Sequence, residues 1–385
     1  MVSEGHNIHS CLCIINILEG KVNKMKKLLL CFFLLLATGC TVNEKKEKID
    51  WELGVIETSI YKRNTKIVYF DGDFNIKGED SLKAAGVSKN LGESSYQKEN
   101  AYFEARGLTR KNDDKKIIEL NRNTRNIKFY DVDRINIQGV IANDKYTYTI
   151  SNLDRKVYIT QTDYNNKKVK EITFNDIITL NLFLAGDKIV VPYNLLEDSR
   201  KEFINIYDKQ LNLIKKIDLS QYGRSITEAV VINDKIYLPV SSKTNEDGSE
   251  EISNNLIVEL DVKSLDFKII KIKTKELGHV NKYGDWLIIM NSESPTYEGR
   301  KMTFYNTKTG EEKIFNLKHP LRDVEVYGDF IYSANYYKEN NERGYILVKY
   351  SIKDNMKEVR YKKVNLLNKY KEYHYYSDIF INYNN

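Results

Sequence analysis

The stretch "NDKIYLPV", residues 233–240, decides the fold. Asn followed by Asp is a tight-turn pair, because both residues tolerate positive φ. Ile236 to Val240 then reads as a strand, and the apolar run Ala229 to Ile232 before the turn reads as its hairpin partner. The same phrase recurs along the chain. "NDKYTYTI" surrounds Asp144, "GDKIVVPY" Asp187, "GDWLIIMN" Asp285, "GDFIYSAN" Asp329 and "SDIFINYN" Asp378. A degenerate copy, "NAYFEARG", has Ala101 in the aspartate slot. Successive slots are 43, 43, 47, 51, 44 and 49 residues apart. A repeat of about 40–50 residues is the period of a four-stranded propeller blade.

Two further strands follow each hairpin. "FINIYDKQLNLIKKIDL" from Phe203, "LIVELDVKSLDFKIIKI" from Leu256 and "KMTFYNTKTGEEKIFNL" from Lys301 are β-rich runs split by a polar turn. The last repeat stops two strands short, and "GVIETSIYKRNTKIVYF" from Gly54 has the missing strand-turn-strand plan. The expected fold is therefore an all-β, seven-bladed β-propeller. An N-terminal hairpin would complete the C-terminal blade, and closing the ring would remove exposed sheet edges. Residues 71–98 read mostly as a long loop; strands hidden there would make eight blades. The strands "NDKIYLPV" and "GDKIVVPYN" resemble those of the YVTN and WD-repeat-like propellers of bacterial extracytoplasmic proteins, over nearly the whole chain but only in plan. The WD dipeptide is absent, and propellers carry many unrelated functions.

The repeat also serves as a ruler. Six residues before each slot stand Ser95, Gln138, Asn181, Glu228, His279, Asp323 and Glu372, all polar. Their successors, such as Leu182, Ala229, Val280 and Val324, are mostly small or apolar. One register of the innermost strands is thus polar in every blade, which would make a ring near one mouth of the central channel. Glu228, His279, Asp323 and Glu372 in that ring could hold a cation or a cationic ligand. Paired carboxylates there could also do acid–base work on a glycoside or lactone. The plainer alternative is polar side chains lining a wet channel.

Variable loops fall on the opposite face from the tight turns, and rigid scaffolds present binding residues on such loops. Arg224, His319, Arg322, Tyr336 and Tyr337 lie on these loops and are of types that dominate interface energetics. Asp71, Asp73 and Asn75 have calcium-loop spacing, but Ile76 and Leu82 occupy the positions of the required glycine and glutamate. There is no P-loop, dinucleotide fingerprint, Gly-x-Ser-x-Gly elbow or His-Glu-x-x-His. No cofactor or metal is expected. His374, among tyrosines, reads as a packed histidine.

Location is read from "MKKLLLCFFLLLATGC", residues 25–40. Lys26 and Lys27 precede an uncharged apolar run that is shorter than the ~20 residues a membrane span needs. Its end, "ATGC", resembles the lipobox of bacterial lipoproteins, with Ala37 where leucine is commoner. The resemblance implies lipidation of Cys40 after cleavage; an ordinary secretory signal is the alternative. Residues 1–24 then read as a misassigned start, 25–39 as signal, 40–50 as lipidated cysteine and tether, and 51–385 as propeller. On that reading His6, His9, Cys11 and Cys13 carry no metal chemistry.

Of 60 basic and 54 acidic residues, four and two fall within residues 1–39, so the remainder carries only +4. Without a concentrated basic patch, nucleic-acid binding is not expected. The reading as a whole is a monomeric lipoprotein on the outer face of a membrane. Its propeller would bind a protein, peptide or envelope glycan without catalysis, with an extracytoplasmic hydrolase as the alternative.

Overall fold

The tight turns sit where the repeat places them. Gly186, Asn233, Gly284 and Gly328, each just before a repeat aspartate, have φ of 60°, 51°, 57° and 55°. These left-handed values are what a two-residue hairpin turn demands. The computed structural model describes residues 47–89, 99–109, 115–244, 251–293, 298–340, 342–367 and 374–383. Among them there is no α-helix, and no helix long and apolar enough to cross a membrane.

The strands form seven sheets. Blade 1 combines β1 (Leu53–Thr58), β2 (Thr65–Phe70) and β3 (Ile76–Leu82) with β29 (Tyr375–Ile381), in the order β29-β1-β2-β3. Blade 2 is β4 (Val87–Lys89), β5 (Asn100–Ala105), β6 (Lys116–Asn121) and β7 (Ile127–Asp131). Blade 3 is β8 (Ile137–Ala142), β9 (Tyr146–Leu153), β10 (Lys156–Asp163) and β11 (Lys168–Asn175). In blade 4, β12 (Ile177–Ile178) and β13 (Phe183–Ala185) both pair with β14 (Lys188–Leu195), followed by β15 (Glu202–Tyr207) and β16 (Leu213–Asp218). Blade 5 is β17 (Val230–Ile232), β18 (Lys235–Thr244), β19 (Glu251–Asp261) and β20 (Phe267–Lys271). Blade 6 is β21 (Leu277–Tyr283), β22 (Trp286–Glu293), β23 (Glu298–Asn306) and β24 (Glu312–Leu321). Blade 7 is β25 (Asp323–Tyr327), β26 (Phe330–Glu339), β27 (Glu342–Ser351) and β28 (Lys357–Asn365).

Strand alternation turns one side chain of each pair toward a neighbouring blade. The result is seven apolar clusters, each shared between two adjacent blades. Two of them flank blade 1. On one side Val55, Val68 and Ile379 meet Tyr345 and Leu347 of blade 7. On the other Trp51, Ile56 and Phe380 meet Phe103 and Ile118 of blade 2. The core is thus an unbroken circle, which leaves the inner ends of the strands free to line the axis.

The sequence expectation of a two-plus-two closing blade is corrected. The C-terminus supplies one strand, β29, and the N-terminus supplies three. Asp378 is therefore no hairpin-turn residue. It lies within innermost strand β29, opposite Ile56. Residues 71–98 do hold strands: β3 and β4 fall within the described part of that segment. These strands complete blades 1 and 2 of seven and build no eighth. The calcium-like "DGDFN" is the β2–β3 turn: Asp71 Oδ1 accepts the backbone N–H groups of Asp73 at 3.0 Å and Asn75 at 2.8 Å. Asp163 and Asp208 cap the equivalent turns of blades 3 and 4 in the same way.

Candidate functional site at the channel mouth

All seven innermost strands, or the residues leading into them, contribute to one cavity of about 370 Å³. Going round the ring, the contributors are Lys89, Gln138, Asn181, Glu228, His279, Asp323 and Asp378, one per blade. The ruler of the repeats selected five of these: Gln138, Asn181, Glu228, His279 and Asp323. It missed Lys89 and Asp378, naming Ser95 and Glu372 in their blades. Ser95, Glu372 and the lipidation residue Cys40 lie outside the described residues.

Backbone irregularity aims these side chains. A regular strand sends successive residues to opposite faces, whereas a β-bulge lets two neighbours face the same way. The innermost strand is bulged at Gln138 in blade 3, at Gly278–His279 in blade 6 and at Ser377 in blade 1. As a result Gly278 and His279, and likewise Ser377 and Asp378, line the cavity together. A Cβ on Gly278 would overlap Ser292 Oγ, so any larger residue there would have to displace the Ser292 side chain.

The charges are paired in a graded way. His279 Nδ1 lies in contact with one carboxylate oxygen of Glu228, and the other oxygen accepts the Val280 N–H at 2.8 Å. Burial works against charge on His279, but Glu228 and then Asp323 outweigh it and push its pKa up to about 9. Burial likewise disfavours the Glu228 carboxylate. His279, the Val280 N–H and Lys89 overcome that and hold its pKa below the usual range. Lys89 bonds Glu325 through its ammonium, and its backbone N–H bonds Asp378 Oδ2 at 2.9 Å.

Asp323 and Asp378 behave differently. Burial, then the charge of Asp323, pushes Asp378 up to about 8. Burial also raises Asp323, against the pull of His279 and Arg322. Two buried carboxylates that repel each other favour holding a proton at neutral pH. Among the described residues no group of three His, Cys, Asp or Glu side chains is arranged to hold a metal ion.

A second chamber of about 440 Å³ adjoins the first, and Ser88, Arg106, Arg322 and Ser377 line both. Its remaining wall includes Tyr336, Tyr375 and Tyr376. The rings of Tyr336 and Tyr376 stack at 6.4 Å. Arg106 bonds the fully buried Glu104 at 2.6 Å and the Gln138 carbonyl. Arg322 is exposed and makes no side-chain hydrogen bond or ion pair among the described residues.

Of the five residues expected on a partner face, Arg322 and Tyr336 join this second chamber. The other three do not. Tyr337 is buried, with its hydroxyl on Asn365. His319 sits on outer strand β24, stacked on Tyr361 at 4.5 Å and 3.1 Å from Glu358. Arg224 is turned to Ser199 Oγ at 2.7 Å. His374 is buried against Asn64 Oδ1 at 2.6 Å, a packed histidine.

The chain matches no protein-family model and no curated protein. Its likeness is to solved structures. A Lactobacillus plantarum protein is 12% identical, with 86% of this chain and 99% of that one covered and a TM-score of 0.55. A proposed 6-phosphogluconolactonase of Bacteroides fragilis is 9% identical, with 86% and 98% covered and a TM-score of 0.54. Another from Bacteroides uniformis is 9% identical, with 86% and 100% covered and a TM-score of 0.53. At such identities the likeness is one of fold, and what it establishes is that this chain is an all-β, seven-bladed propeller.

Proposed function

We propose that this protein binds a small polar ligand in the channel mouth, without transforming it, while tethered through lipidated Cys40 to the outer face of a cell membrane. The observation that carries the binding reading is the convergence of a polar side chain from every blade on one cavity of about 370 Å³. Ligand pockets typically enclose about 300–1,000 Å³ and carry a few convergent polar groups. A platform for macromolecules would call instead for aromatic anchors spread over the open face, and Tyr337 and His319 are occupied elsewhere. The tether rests on the lipobox-like "ATGC" of residues 37–40.

Binding is favoured over catalysis because the strongest carboxylate, Glu228, is already held by His279 and the Val280 N–H. A thermal-shift screen with polar metabolites tests the reading. Wild type should gain stability with at least one compound, and the Asp323→Asn variant should lose that gain.

One observation favours a second reading, hydrolysis of a lactone or glycoside. Asp323 and Asp378 line one cavity with raised pKa values, the arrangement of a general acid beside a base. On this reading Asp378→Asn abolishes turnover of a lactone or glycoside panel while leaving binding in place.

A further inference from the structure

The second chamber differs in character from the first. Its charged lining is two guanidiniums, Arg106 and Arg322. The acids nearest them are not free to neutralise both. Glu104 is fully buried and hydrogen-bonded by Ser88 Oγ at 3.1 Å as well as by Arg106. Burial raises its pKa, as it does those of Asp323 and Asp378. Two arginines and no carboxylate stand in the lining of this chamber among the described residues, with Arg322 as an unused planar donor fork at its edge.

The tyrosines add two features. Tyr375 lies within the fields of both Arg106 and Arg322, and its hydroxyl makes no hydrogen bond among the described residues. The stacked rings of Tyr336 and Tyr376 supply an apolar wall. Across the shared rim, the first chamber offers Gln138, Asn181, Ser292 and Ser377, neutral groups that both donate and accept. Asn181 is almost wholly buried, gives its amide hydrogens to the Thr227 carbonyl at 2.5 Å, and leaves Oδ1 without a partner. Hydroxyl groups match such a lining because each can donate and accept in turn.

We propose that the two chambers together bind an acidic sugar, its carboxylate between Arg106 and Arg322 and its ring hydroxyls in the polar first chamber. This rests on the small-ligand reading above and names the ligand's class. A carboxylate fits better than a phosphate. It is planar and singly charged, and it matches the bidentate fork of one free arginine. A dianionic phosphate would call for a second free guanidinium, and Arg106 is already bonded to Glu104 and the Gln138 carbonyl. The tyrosine wall suits the C–H face of a pyranose.

The test is isothermal titration of the full chain with D-glucuronate and D-galacturonate, beside glucose, galactose, glucose 6-phosphate and glucosamine. A uronate should bind at least about tenfold more tightly than its parent hexose, the scale of one charge-assisted contact. Arg322→Gln, at an exposed position where folding is not at stake, should erase that preference. Arg322→Lys should restore part of it. Equal binding of uronate and hexose, or a preference that survives Arg322→Gln, overturns the proposal. So does no binding of any sugar. Preference for the phosphate or the amino sugar overturns the acidic-sugar assignment while the small-ligand reading stands. Absence of any small ligand from the mouth removes both.

Discussion

His279 and Glu228 form an ion pair across the interface of blades 5 and 6, with Val280 N–H holding the second carboxylate oxygen at 2.8 Å. The pair ties two innermost strands together at the level of the cavity. Glu228 is thereby matched by an imidazolium, while burial raises the pKa of the two remaining ring acids, Asp323 and Asp378.

The pair has a pH signature. The pKa of His279 is raised to about 9, so the stabilisation from its charge is fully present below its ordinary value and fades as pH rises through 9. Glu228 is depressed, so its contribution is present above the ordinary carboxylate range and fades as pH falls. Glu228→Gln should cost about 3 kcal/mol at pH 7, the scale of breaking a buried pair. In urea unfolding, wild type and variant should converge toward both pH extremes, and NMR should show the His279 pKa falling in the variant.

Asp378 gives the opposite test. Its folded pKa, about 8, lies above that of an unfolded aspartate. Folded protein then binds more protons than unfolded protein in between, so stability declines as pH rises from about 4 through 8. Asp378→Asn keeps an oxygen to accept the Lys89 N–H and removes the titration. Relative to wild type it should gain about 4 kcal/mol between pH 5 and pH 9 in chemical denaturation.

The closing blade should be the point of mechanical weakness. Phe380 packs on Trp51 at 5.6 Å and Phe103 at 5.2 Å, and its ring fills the space over Gly54 where a Cβ would go. Phe380→Ala should cost about 4 kcal/mol in equilibrium unfolding. Gly54→Ala should also destabilise, by about 1–3 kcal/mol, because the added methyl overlaps that ring.

Five of the seven ring residues were legible because one strand register repeats. Gln138, Asn181, Glu228, His279 and Asp323 each stand six residues before a turn position, and inner-strand length is constant enough for the ruler to hold. It failed at the two ends of the circle. In blade 2, Ala101 lies inside β5 and β4 ends at Lys89, so the distance is longer. In blade 1, "SDIFINYN" imitates the turn phrase, but Asp378 is within β29 because the N-terminus supplies three strands. The bulges at Gly278–His279 and Ser377 had no local signal, since they arise from pairing with a distant register. The second chamber was half visible: Arg322 and Tyr336 stood out as loop residues, while Arg106 and Tyr375 gave no cue.

The membrane assignment has its own check. Wild-type protein from its native host should partition with membranes and have an intact mass beginning at a diacylated Cys40. Cys40→Ala should move it to the soluble fraction.

The most direct test of the central claim is fluorescence of the Leu180→Trp variant. Leu180 is 46% exposed and lines the first chamber, so an indole there reports on the mouth with little expected effect on folding. Titration with polar metabolites should give a saturable change in emission that is lost when Asp323→Asn is added. If no small molecule changes the emission, and only a macromolecular partner does, the channel mouth is not a ligand site and the propeller is a docking platform.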